Sequence, residues 1–78
     1  MSRTVYYVVL HQNEWKISLN DKHYGPYKSQ RDAIRVAVDA AHKTGKTNPD
    51  GAEIRVQGQN NQFRTEWTYG KDPYPPPG

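Results

Sequence analysis

The feature that constrains the fold most is one segment with the apolar periodicity of an α-helix. It lies between segments whose apolar and polar residues alternate as in β-strands. Apolar side chains recur at i, i+3, i+4 and i+7 in this stretch, at Ile34, Ala37, Val38 and Ala41. Ser29 precedes it as a predicted N-cap, and Gly45 predicts a stop after residue 44. A single amphipathic helix over residues 30–44 has to bury its apolar stripe against something, and the neighbouring strand patterns predict a sheet.

Two strands are predicted before the helix. The segment 4–11, TVYYVVLH, is rich in β-branched and aromatic residues, and 15–20, WKISLN, alternates with period two. Either a two-residue turn at Gln12-Asn13 or a four-residue loop over 11–14 pairs them as a hairpin in the same register, which gives Val5, Tyr7 and Val9 the face opposite to the core. The following segment 21–28, DKHYGPYK, is predicted to be a loop, because Gly25-Pro26 interrupts it.

Two more strands are predicted after the helix, at 52–57 and 63–69. A turn at Asn60-Asn61 would pair Ile54 with Trp67 and Val56 with Thr65, with Arg55 opposite Glu66 on the outer face. The predicted fold is α+β, a two-layer ββαββ domain over 1–70 with one helix on one face of an antiparallel sheet made of two hairpins. A proline-rich tail, 71–78, follows the domain.

The chain has 78 residues, which predicts one domain with one compact core. The expected core residues alternate along the strands or share the helix stripe: Tyr6, Val8, Leu10, Trp15, Ile17, Leu19, Ile34, Ala37, Val38, Ala41, Ile54, Val56 and Trp67. Cysteine is absent, so disulfides and thiolate metal sites are excluded. No apolar run approaches the ~20 residues of a membrane span, and we expect a soluble cytoplasmic protein with no membrane contact.

Several of these segments together resemble a family of small bacterial proteins catalogued as a domain of unknown function. The resemblance lies in the strand Tyr7-Val8-Val9, in Trp15 at the start of the second strand, in the helix start SQRDAI at 29–34, and in the ending YGKDPYP at 69–75. The segment GQNNQ at 58–62 stands where the family usually has a short Asp-Gly turn. The resemblance implies no activity. Residues 15–34 are also similar to the strand–loop–helix of arm-binding domains in phage-type tyrosine integrases, and GPYKSQRDA to a septal peptidoglycan-binding repeat.

No catalytic or metal site is predicted. His11, His23 and His42 are expected in a turn, a loop and an exposed helix end, without the spacing of a metal-binding pair. The glycines fit turns, and no nucleophile stands in a catalytic context. We therefore expect a protein that is not an enzyme and that needs no cofactor or small-molecule substrate.

Two kinds of binding fit the predicted surface. Val5, Tyr7 and Val9 would form an apolar sheet face without cover, which favours a homodimer or another protein partner. Lys16, Lys22, Lys28 and Arg31 would instead form a basic patch near the helix N-terminus, which favours nucleic acid on a chain of net charge +3.

The tail has two possible roles. Residues 75–77 should adopt polyproline II and could be a ligand for an aromatic groove. Alternatively, Tyr74 and the prolines fold back over Val5, Tyr7 and Val9, and we favour this internal cover because the apolar stripe has no other.

Overall fold

The computed structural model describes residues 3–58 and 60–75, which form one α-helix and five β-strands. Their bounds in chain order are β1 Thr4–His11, β2 Glu14–Leu19, β3 Lys22–Tyr27, α1 Gln30–Thr47, β4 Ala52–Gln57 and β5 Phe63–Thr68. The α+β class and the packing of one helix on one sheet are confirmed. The layout is βββαββ, so the predicted ββαββ order is wrong by one strand.

The sheet is mixed, with the strand order β3-β2-β1-β4-β5. Neighbouring strands are antiparallel except β1 and β4, which are parallel, with Tyr6 beside Ile54 and Val8 beside Val56. The predicted antiparallel sheet of two hairpins is therefore wrong. A parallel pair needs a crossover connection, and α1 carries the chain from the β3 edge across to β4.

The third strand lies where the sequence predicted a loop. Asn20 and Asp21 have positive φ values of 51° and 67°, and they form a two-residue turn like Gln12 and Asn13, at 53° and 64°. β3 then pairs with β2, with a bulge between Trp15 and Ile17. Pro26 has no backbone N–H to donate, but β3 is an edge strand, where proline is tolerated.

The helix begins as predicted and ends three residues later. The Ser29 hydroxyl accepts a hydrogen bond from the Asp32 N–H at 3.1 Å, which confirms the N-cap. α1 continues through Gly45 to Thr47, so Gly45 is not the stop. Its role is close packing, because a Cβ at this position would overlap the Tyr69 ring. Among the residues described, no helix combines the length and apolar character that a bilayer crossing requires.

The core lies between α1 and one face of the sheet. It contains Tyr6, Val8, Ile17, Ala33, Ala37, Val38, Ala41, Ala52, Ile54, Val56 and Trp67, with Trp15, Leu19, Tyr27, Ile34, Ala40 and Tyr69 partly buried against it. The predicted core is confirmed except at Leu10, which is 46% exposed. Leu10 and Trp15 line an open groove beside Gln30, the first residue of the helix, so α1 leaves this end of the sheet uncovered.

Candidate functional site

The open face is the side of the sheet that faces away from α1. On β1 it carries Val5, Tyr7 and Val9, which alternate with the buried Tyr6 and Val8 and are themselves half-buried. The register places further open-face residues on the other strands: Lys16 and Ser18 on β2, His23 on β3, Glu53, Arg55 and Gln57 on β4, and Phe63 and Thr65 on β5. The prediction that Val5, Tyr7 and Val9 share the face opposite to the core is confirmed.

An aromatic pair lies on this face. Tyr7 and Phe63 pack edge to face, with ring centroids 5.4 Å apart and an interplanar angle of 81°. Phe63 is on the outermost strand, and 46% of it is exposed. Tyr7 comes from the central strand, so the pair spans β4 and joins the apolar stripe of β1 to the β5 edge.

A β-bulge creates this pair. The predicted pairing of Ile54 with Trp67 is confirmed, but a register shift follows it, so Val56 pairs with Arg64 and Gln57 with Phe63. The predicted pairing of Val56 with Thr65 is therefore wrong. The extra residue turns Arg64 toward the helix side and Phe63 toward the open face, because one residue of shift exchanges the two faces of a strand.

An ion-pair triad lies beside the aromatic pair. Glu53, only 5% exposed, accepts hydrogen bonds from Arg3 and Arg55, both at 2.8 Å. The hydrogen bond from Arg55 and then that from Arg3 hold the pKa of the Glu53 carboxyl below its usual value, although burial opposes them. The prediction that Arg55 lies opposite Glu66 is wrong, because the bulge places Thr65 opposite Arg55; Glu66 forms an ion pair with Arg64 at 3.2 Å.

Both arginines of the triad reach the surface, with 47% of the Arg3 side chain and 44% of the Arg55 side chain exposed. Arg55 uses its Nε for Glu53, and Arg3 uses one terminal nitrogen for Glu53 and its Nε for the Asp50 carbonyl, at 3.4 Å. The Glu53 carboxylate raises the pKa of Arg55, with a smaller contribution from the Tyr7 hydroxyl. A shallow groove runs from Arg3 along Val5 to Tyr7, and its other lining residues are Thr4, Ser18, Asn20 and Asp21.

The four predicted nucleic-acid contacts do not lie on one patch. Lys16 is on the open face, opposite Val9. Lys22 begins β3 and Lys28 follows its end, so the strand separates them by roughly 20 Å at ~3.3 Å per residue. Arg31 is in the first turn of α1, in the other layer. Only Lys28 and Arg31 therefore lie near the helix N-terminus.

The tail packs against the helix instead of the open face. The Tyr74 ring stacks on His42 at 3.7 Å, and its hydroxyl donates to Asp39 at 2.8 Å. The Trp67 Nε1–H donates to the Pro73 carbonyl at 3.0 Å. The expectation that Tyr74 covers Val5, Tyr7 and Val9 is therefore wrong. Residues 76–78 lie outside the described part of the chain, and polyproline II over 75–77 stays a prediction.

The histidines are distributed between two surfaces. His11 at the end of β1 and His23 in β3 have nearly parallel rings 6.3 Å apart, and His42 lies under Tyr74. Within residues 3–58 and 60–75, no three His, Asp or Glu side chains are grouped so that they could hold a metal ion. The open face instead presents rings and cations side by side.

Comparison with known families agrees with the resemblance seen in the sequence. A family model described as "Uncharacterized protein conserved in bacteria (DUF2188)" matches residues 6–69. The chain belongs to this family. The comparisons with curated proteins and with solved structures found no significant match. The matched span runs from β1 to just beyond β5, and it includes Tyr7, Lys16, Glu53, Arg55 and Phe63 but not Arg3 or the tail.

Sequence reasoning missed Phe63 and the triad for different reasons. The bulge that moves Phe63 depends on how β4 and β5 pair, and a strand pattern alone carries no signal for it. The triad had a signal, because Glu53 and Arg55 are two residues apart on one strand and therefore share a face.

Proposed function

We propose that this protein is a small binding or regulatory module without catalytic activity, and that the open face is its contact surface for a macromolecular partner. The observation that carries the proposal is the Tyr7–Phe63 pair, which joins the half-buried Val5 and Val9 into one apolar area on a face that no described element covers. A cytoplasmic location is part of the proposal and rests on the absence of cysteine.

The exposure of this apolar area to solvent supports the choice of the open face as the contact surface. Exposed apolar area that is contiguous and bordered by charged groups is typical of contact sites, whereas single exposed apolar residues are common and need no explanation. Phe63 lies outside the core, and the bulge in β5 places it on the open face, where 46% of it is exposed. The charged groups at its border include the cations Arg3, Arg55 and Lys16 and the carboxylates Glu14 and Glu53.

A second copy of the chain is one partner that this surface could take. Two open faces stacked about a twofold axis would cover Val5, Tyr7, Val9 and Phe63 of both copies. Light scattering over a range of concentrations tests this state directly, and Phe63→Lys should then dissociate the dimer.

The proposal itself is tested by site-specific photo-crosslinking in cells. A benzophenone amino acid replaces Phe63 in one variant and Val36 on α1 in the matched control, since these side chains are 46% and 42% exposed. We expect covalent adducts from position 63 and few from position 36. Protease and nuclease digestion of the adducts then identifies the partner class. Equal yields from both positions, or none from position 63, would overturn the open face as the contact surface.

A further inference from the structure

We infer that the open face binds single-stranded nucleic acid, with Tyr7 and Phe63 stacking on bases and Lys16, Arg3 and Arg55 contacting phosphates. This inference rests on the proposed function, because it names the partner of the same surface. It moves the nucleic-acid site away from the helix N-terminus, near which two of the four predicted contacts, Lys28 and Arg31, lie.

The aromatic pair fits unstacked bases. Rings on a flat sheet can stack on bases of a single strand, and such stacking tolerates any sequence because every base has a π-face. Because the planes of the Tyr7 and Phe63 rings are nearly perpendicular, at 81°, the two rings face different directions and can contact different bases. The rings stand on the face of a five-stranded sheet, whereas the major groove of a duplex admits an α-helix or a two-stranded β-ribbon. They are therefore poorly placed to reach bases that are stacked inside a duplex.

Cations lie on both sides of Tyr7. Arg55 is its direct neighbour on β4, and Lys16 pairs with Val9 on β2, one position away on the same face. Arg3 lines the groove that ends at Tyr7. Cations spaced around a ring suit a single nucleic-acid strand, whose phosphates alternate with its bases. The buried Glu53 carboxylate holds two of the three cations, Arg3 and Arg55, in fixed orientations before a ligand binds.

Three described carboxylates, Glu14, Asp21 and Glu53, accompany the three cations of this surface. Glu53 is shared by two arginines, so the triad keeps one net positive charge. Glu14 is at the hairpin end opposite His11, and Asp21 lines the groove together with Arg3. Glu14 and Asp21 lie at opposite ends of β2, and Arg55 and Lys16 are the cations on the strands that flank Tyr7, where a polyanion would lie.

The same charges disfavour a second copy. Stacking two open faces would bring Lys16, Arg3 and Arg55 of both molecules into one interface, and removing cations from water is costly unless each finds a partner. A phosphate backbone leaves these side chains partly solvated and adds the opposite charge. Charge complementarity therefore selects the anionic strand.

The test is fluorescence anisotropy with a labelled oligothymidylate of about 12 nucleotides, within the ~4–16 nucleotides that small sheet domains occupy. The full chain is titrated at low salt, then at increasing salt, and against a duplex of equal length. We expect salt-dependent binding to the single strand and at least about tenfold weaker binding to the duplex.

Matched variants assign the contacts. Phe63→Leu should weaken binding at least about fivefold, whereas Tyr24→Leu should not, although Tyr24 is also 46% exposed, because it pairs with the buried Ile17 and faces the helix side. Lys16→Gln should lower the logarithmic salt slope by ~0.7 for one phosphate contact, while Lys43→Gln on α1 should leave it unchanged. Thermal unfolding verifies that each variant is folded.

The outcomes separate this inference from the proposed function. No single-strand binding at low salt, a duplex bound as tightly, or equal losses in Phe63→Leu and Tyr24→Leu would overturn the inference. If protein adducts nevertheless form from position 63 in cells, the proposed function as a binding module is retained, with a protein as the partner. Absence of both oligonucleotide binding and adducts would overturn the two together.

Discussion

The Tyr74 ring lies parallel to the His42 imidazole, with centroids 3.7 Å apart and an interplanar angle of 7°. The Tyr74 hydroxyl donates to Asp39, one helical turn before His42, and this bond raises the pKa of Tyr74 above its usual value, assisted by burial. The carbonyl of Pro73, the residue before Tyr74, accepts a hydrogen bond from the Trp67 indole. The start of the tail is therefore a strap that fastens the end of β5 to α1.

Removal of residues 73–78 should lower the free energy of unfolding and expose Trp67, because the truncated chain loses both the ring stack and the indole hydrogen bond. Urea unfolding and a red shift of tryptophan fluorescence measure the two effects. Tyr74→Phe keeps the stack and should lose less stability than Tyr74→Ala. A truncated protein with unchanged stability would show that the strap does not hold in solution.

Gly45→Ala should destabilise the protein, although alanine is the better helix former by about 1 kcal/mol. The new methyl group would overlap the Tyr69 ring, and overpacking of this kind costs roughly 1–3 kcal/mol. In a Tyr69→Ala background the same change should become stabilising, because the ring is no longer there. A double-mutant cycle from thermal unfolding measures this coupling. Equal effects of Gly45→Ala in the two backgrounds would contradict the close approach.

Sequence patterns predicted the parts of this fold that depend on local chemistry. The apolar stripe from Ile34 to Ala41, the Ser29 cap and the Gln12-Asn13 turn all follow from residues close in the chain. They also gave the correct faces for β1 and β2. The Asn20-Asp21 turn had a similar signal, but the Gly25-Pro26 pair outweighed it, since a proline argues against a strand unless the strand is at an edge.

The remaining errors concern contacts between distant segments. Gly45 lies inside the helix and packs closely against Tyr69, which is 24 positions later. The parallel pairing of β1 with β4 and the bulge that exposes Phe63 are equally non-local. For the candidate site, the sequence therefore gave the face with Val5, Tyr7 and Val9 but placed Tyr74 on it instead of Phe63.

Trp67 and Trp15 should differ in their contribution to stability. Trp67 is 2% exposed and hydrogen-bonded through its indole, while Trp15 is only partly buried beside the exposed Leu10. Trp67→Ala should cost about 3–5 kcal/mol, and Trp15→Ala clearly less. Since the larger loss can unfold a domain of about 5–15 kcal/mol total stability, Trp67→Phe and Trp15→Phe are compared as well. An equal or larger loss at Trp15 would contradict the incomplete cover at that end of the sheet.

Glu53 should make the stability of the protein depend on acid pH. Hydrogen bonds from Arg55 and Arg3 lower the pKa of Glu53 in the folded state, so the unfolded chain binds more protons on this group. The stabilisation is fully present above the unfolded pKa of about 4.3, and it is lost as the pH falls through the lower folded pKa. Glu53→Gln should therefore be less stable than the wild type at pH 7 and lose less stability between pH ~5 and pH ~2.5.

The control for this prediction is Glu66→Gln, which also removes one carboxylate from an ion pair. Glu66 and Arg64 are both exposed, and exposed pairs contribute little to stability, so this variant should follow the wild-type pH profile. Urea unfolding at several pH values gives the three curves. Parallel curves for Glu53→Gln and the wild type would show that the triad does not favour the Glu53 carboxylate in solution. The inferred phosphate contacts would then lose the fixed arginines on which they depend, because Arg3 and Arg55 are oriented by that carboxylate.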